Sequence, residues 1–174
     1  MITRKALFAG ACAFQTSAVL FLALPPAMTL TEGRTFTVIT EPVDPRDMFR
    51  GDYIRLGYGF SQVPTRDKLD YNSNVFVHLK KDPKKGWKAV CAYKERPRVN
   101  ADDVILLGQC EWTDRENMIR VKYGIEQVFV PEGKGRGIAS ADKIEVQLAV
   151  PNSGRAVIKR ARLKDKLLYQ WRWI

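Results

Sequence analysis

The sequence predicts a mainly β protein: a sandwich or small barrel of two similar four-strand units, preceded by one N-terminal transmembrane helix. Three observations predict it. An uncharged, largely apolar run opens the chain, a two-residue alternation of apolar and polar side chains follows, and one stretch of that alternation recurs 65 residues later. With 174 residues, 45% of them hydrophobic and 28% charged, the chain can bury one core. Three cysteines and one histidine exclude a disulfide scaffold, a four-thiolate metal site and any multi-histidine site. The formal charge of +10 bears on partners rather than on fold.

The opening run, Ala6 to Leu24, holds 19 residues without a charge. As a helix rising about 1.5 Å per residue it spans about the 30 Å of a bilayer's hydrocarbon. Arg4 and Lys5 precede it, which is the order of a signal anchor with its N-terminus in the cytoplasm. Pro25-Pro26-Ala27-Met28 lacks the small residue that cleavage after Ala27 needs at the third position, so residues 1–30 are expected to stay as an anchor. Residues 31–174 are then expected to form an extracytoplasmic β domain. Gln15, Thr16 and Ser17 suit a face turned to a partner helix. The residues before Cys12 lack the leucine of a lipoprotein signal.

Past the anchor, Ile54, Leu56, Tyr58 and Phe60 point one way, with Arg55, Gly57 and Gly59 opposed. Ile119, Val121, Tyr123 and Ile125 repeat the pattern. Downstream, Val75, Val77 and Leu79 correspond to Ile144, Val146 and Leu148, each set followed by a turn and another strand; upstream, 35–40 and 104–112 open each unit. This register reads as an internal repeat, 31–103 and 104–174, whose two sheets pack face to face.

The sharpest local motif is residues 43–53, Val-Asp-Pro-Arg-Asp-Met-Phe-Arg-Gly-Asp-Tyr. Asp44 can cap a helical turn, Pro45 suits its first position, Asp47 can reach back to the cap, and Gly51 can end it. Asp44, Asp47 and Asp52 could also form a polar site, but Arg46 and Arg50 already offer them cations, which favours local ion pairing over a metal. Gly51-Asp52-Tyr53-Ile54-Arg55-Leu56-Gly57-Tyr58 resembles the Gly-Asp-Tyr-x-x-Leu-x-Tyr signature of the bacterial GDYXXLXY protein family, and Asp44 to Asp47 and Phe129 to Gly133 resemble its other recurrent stretches. The resemblance covers nearly the whole chain. It implies a membrane-anchored protein encoded beside polytopic membrane proteins, and it brings no activity, cofactor or catalytic residue.

Nothing else in the sequence supplies an enzyme. Where a signal peptidase has its serine nucleophile just past the membrane helix, the stretch Pro26 to Leu30 carries alanine. His78 alternates onto the polar face and no electropositive pocket is built for Cys91, so a His78–Cys91 dyad is not expected. Cys91 and Cys110 are both expected to point inward, where an oxidising compartment permits a disulfide or leaves two buried thiols. Glu132, Lys134 and Arg136 sit in a glycine-rich loop that could bind an anion or be plain loop. Arg160, Arg162, Lys164 and Lys166 alternate along one basic strand face, suited to anionic lipid or an acidic envelope polymer. Export separates the chain from nucleic acid. The expected function is a non-catalytic accessory or binding domain, with no cofactor or metal, acting with a polytopic inner-membrane protein. Its candidate binding residues are Asp44, Arg46, Asp47, Arg50, Gly51, Asp52, Tyr53, Tyr58, Glu132, Lys134 and Arg136. A cell-envelope hydrolase using Asp44, Asp47 or Asp52 is the alternative.

Overall fold

The computed structural model describes residues 3–42, 53–83, 86–113, 117–130 and 143–171. Helix α1 (Arg4–Glu32) runs past the end expected near Leu24. It continues through Pro25 and Pro26, which lack the N–H groups that would bond the carbonyls of Phe21 and Leu22. Its hydrophobicity is spread around the whole circumference, and its large apolar side chains are exposed, Phe8 at 72%, Phe14 at 76% and Phe21 at 77%. The Thr16 hydroxyl donates to the Cys12 carbonyl at 2.9 Å, so it is satisfied inside the helix.

Eleven strands follow: β1 (Arg34–Pro42), β2 (Tyr53–Gly57), β3 (Gln62–Pro64), β4 (Asn74–Asp82), β5 (Gly86–Tyr93), β6 (Val104–Thr113), β7 (Met118–Lys122), β8 (Gln127–Phe129), β9 (Ile144–Val150), β10 (Val157–Leu163) and β11 (Lys166–Gln170). They form a six-stranded sheet, β11-β10-β9-β1-β2-β8, and a five-stranded sheet, β3-β7-β6-β4-β5, in which neighbouring strands are antiparallel. The mainly β expectation is met, and the described strands form no closed barrel. Alternation sets the core: Val38, Ile54 and Val146 from one sheet and Val77, Leu106 and Ile119 from the other meet in one cluster.

Each half does not make its own sheet, which corrects the face-to-face arrangement expected above. After Gly57 the chain leaves the six-stranded sheet for β3 in the five-stranded one, and after Lys122 it makes the reverse passage to β8. A shift of 65 residues carries one crossing onto the other. Ile54 pairs with Val128 while Ile119 pairs with Val63, and the Leu56 N–H donates to Glu126 O while the Val121 N–H donates to Ser61 O, both at 2.8 Å. Two phenols lock the exchange: Tyr58 donates to Ile125 O at 2.8 Å and Tyr123 to Phe60 O at 2.6 Å. Swapping strands in this way lets both short segments bury their apolar faces in a sheet they could not build alone.

Two further expectations change. Arg160 to Lys166 is not one basic face but the β10–β11 hairpin, turned at Lys164, whose φ is 52°. On β5 a bulge at Val90 reverses the alternation, so Ala92 joins the core while Cys91 falls on the outer face beside His78. Cys110 lies in the core. β4 separates the two cysteine-bearing strands, and Cys91 and Cys110 are not joined in the considered disulfide.

Burial, and then the Glu126 carboxylate, pushes both the Tyr58 and Tyr123 phenols far up from their ordinary value of 10.0. The folded chain therefore holds them neutral, and the unfolded chain loses its phenolic protons first. Stability should stay intact below about pH 10 and fall as pH rises beyond it. In urea titrations, Tyr58→Phe and Tyr123→Phe should each cost about 1–3 kcal/mol at neutral pH by leaving a buried carbonyl unpaired. The double variant should lose stability less steeply above pH 10 than the parent.

Candidate functional site

The exchange makes the halves equivalent in register, so places where they differ point to something other than folding. A shift of 69 residues maps the β4–β5 pairing onto β9–β10: Lys80 opposite Lys88 becomes Ala149 opposite Val157, and the bulge at Val90 becomes one at Lys159. In the first half the seam between β3 and β5 is sealed. Thr65, buried, bridges to Ala92, its hydroxyl donating to the Ala92 carbonyl at 3.1 Å and accepting the Asp67 N–H at 3.1 Å. Trp87, five residues before Ala92 on β5, packs against the core with its ring 4.7 Å from that of Phe36.

In the second half Val130 stands at the position of Thr65 and Ala156 at that of Trp87. Valine has no hydroxyl to tie the strands and alanine no ring to fill the gap. Between β8 and β10 a groove of about 260 Å³ is left. Gly124, Ile125, Val128 and Phe129 line one wall, Ala156 to Ile158 the other, with Tyr169 and Trp171 beyond them. The two rings belong to β11 and the residue after it, which have no counterpart in the first half; the Trp171 N–H donates to Lys159 O at 3.0 Å. No lining residue is charged. Burial pushes the Tyr169 phenol up, keeping it a neutral donor. Such a wall holds an apolar group and offers no nucleophile with a base beside it.

A second cluster lies at the root of α1. The Arg34 guanidinium donates to the carbonyls of Ala101, Asp102 (2.9 Å) and Asp103 (3.0 Å), fixing the loop before β6 against the start of β1. The Asp103 carboxylate in turn holds His78 Nε2 at 2.9 Å. His78 is not the solvated residue expected: its side chain is 15% exposed and that of Asp103 8%. Cys91 is opposite His78 in register, yet its thiol lies against the Ala92 carbonyl at 3.6 Å. Acid, imidazole and thiol thus share a face without a thiol–imidazole hydrogen bond. Among the described residues no three His, Cys, Asp or Glu side chains are placed to hold a metal ion.

Of the candidates read from the sequence, Asp44, Arg46, Asp47, Arg50, Gly51, Asp52, Glu132, Lys134 and Arg136 lie outside the described residues. Tyr58 is a core residue with its hydroxyl used, not a residue open to a ligand. Tyr53 is half-buried, its ring 6.3 Å from that of the exposed Phe129 at the groove. The groove itself was missed in the sequence. Setting the halves side by side at both shifts, 65 and 69, reveals Thr65 against Val130 and Trp87 against Ala156.

The family model described as GDYXXLXY protein matches residues 15–160. No curated protein and no solved structure matches the chain.

Thr65→Val, which gives the sealed seam the side chain of the open one, should cost about 1–3 kcal/mol in urea denaturation, because the Ala92 carbonyl loses its donor inside the fold. An unchanged midpoint would show that the seam does not depend on this hydroxyl.

Proposed function

The chain belongs to the GDYXXLXY protein family, and from that premise we propose a membrane-anchored accessory domain that binds a polytopic inner-membrane protein on the extracytoplasmic side. One observation supports the reading above others: α1 has no distinct apolar face, and the large apolar side chains described on it, such as Phe8, Phe14 and Phe21, are exposed. A helix of that kind in water has no face to hide, whereas in lipid every face is satisfied. Among the described residues no helix is long and apolar enough to cross a membrane. The uncharged run 6–24 includes Ala6 and Ala23, whose side chains lie outside that description. Counted along the full sequence, the run is the 19 residues an anchor needs.

The reading gives α1 two tasks, holding the domain at the surface and presenting Gln15 and Ser17 to a partner helix. Interhelical hydrogen bonds in lipid are worth about 0.6–2 kcal/mol. Arg34 then serves as the joint, since it ties the first residue of β1 to the loop before β6. No step of chemistry is required.

A periplasm-dependent reporter fused after Ile174 should be active in a bacterial host, and activity only of a cytosol-dependent reporter would sink the proposal. Gln15→Leu with Ser17→Leu should leave the chain in the membrane fraction while reducing the membrane protein recovered with it in mild detergent.

A further inference from the structure

We propose that the open seam between β8 and β10 binds the acyl chain of a fatty acid, with the carboxylate held by cations beside the groove. Four observations converge. The lining carries no charge and, besides the Gln127 amide and the Tyr169 phenol, is apolar, so the part of the ligand it takes is uncharged and mostly apolar. At about 260 Å³ the groove is small, which suits a slim single chain.

Arg155 and Lys159 flank the lining segment Ala156 to Ile158 on either side in the chain. Arg160 follows Lys159 on the same strand. The Arg160 Nε is buried and has no hydrogen-bond partner among the described residues. An unmet guanidinium donor is costly, and a carboxylate is its best acceptor. Finally, the opening is not demanded by the fold, since the equivalent seam in the first half is bridged between Thr65 and Ala92. Apolar walls beside an excess of cations select an anionic single-chain amphiphile. The inference rests on the groove and not on the compartment of the chain.

The full-length chain is reconstituted in phosphatidylcholine vesicles and titrated with dodecanoate brominated on its terminal carbon, with tryptophan fluorescence as the readout. Saturable quenching at one equivalent is expected, and it should disappear in Trp171→Phe, which removes the reporting ring. Ala156→Phe, which fills the groove, should abolish saturation; Val157→Phe provides a second filled groove should the first variant not fold, as judged by circular dichroism. The matching brominated alcohol should bind at least about threefold more weakly, as should the acid at high salt. Quenching that rises without saturating, or that survives in the filled variants, overturns the site, as does no quenching at all, which would mean that residues of the chain itself occupy the seam. Equal binding of acid and alcohol overturns the role of the cations. Flotation of the chain with the vesicles is read separately: loss of flotation with saturable quenching intact counts against the anchor alone.

Discussion

Every described strand takes its place from the crossing at residues 57–62 and 122–127, where each half hands its chain to the other's sheet. A crossing of two extended segments brings backbone polar groups into the core, and each must find a partner there. The phenols of Tyr58 and Tyr123 supply donors for the carbonyls of Ile125 and Phe60, while the paired backbone bonds of Leu56 and Val121 hold the strands before the exchange. At the second crossing the Glu126 carboxylate also accepts from the Tyr123 and Gly124 N–H groups, at 2.5 and 2.9 Å. Of the described residues of the family signature, Leu56 and Tyr58 are buried and Tyr53 is half-buried, and the final tyrosine closes the crossing.

The strands were legible in the sequence because a half-buried sheet writes its period of two directly into residue order, as in Ile54 to Phe60 and Ile119 to Ile125. The exchange was not legible. Alternation says which side chains point inward but not which sheet a strand joins, and β2 would bury Ile54 and Leu56 equally well beside its own half or the other. The bulge at Val90 defeated the reading of Cys91 because one extra residue inverts every later side chain on the strand. His78 was assigned to water since Asp103 lies 25 residues away, and only the fold of the loop held by Arg34 brings them together. The groove was hidden for a different reason: it is a difference between halves, and no single window of sequence contains a difference.

The two seams separate what stability requires from what it leaves open. The first half closes its edge with the Thr65 hydroxyl, whereas the second has Val130 at that place and adds Tyr169 and Trp171 beside the gap. Close packing penalises unfilled space, so this opening is the clearest departure of the second half from the matched framework. The helix is a comparable departure on a larger scale. It keeps its apolar surface outside the common core, leaving that surface for an environment the β domain does not provide.

The pairing of β1 with β9 also bears on how the chain is made. Arg34 lies opposite Val150, so the first strand cannot complete its ladder until residues more than a hundred positions later have left the ribosome. During synthesis, β1 and β2 wait as open edges with Phe36, Val38 and Ile54 uncovered, the state in which nascent chains stick to one another. The pairing that joins the early and late parts of the chain in the finished sheet thus leaves β1 without its β9 partner until late in synthesis.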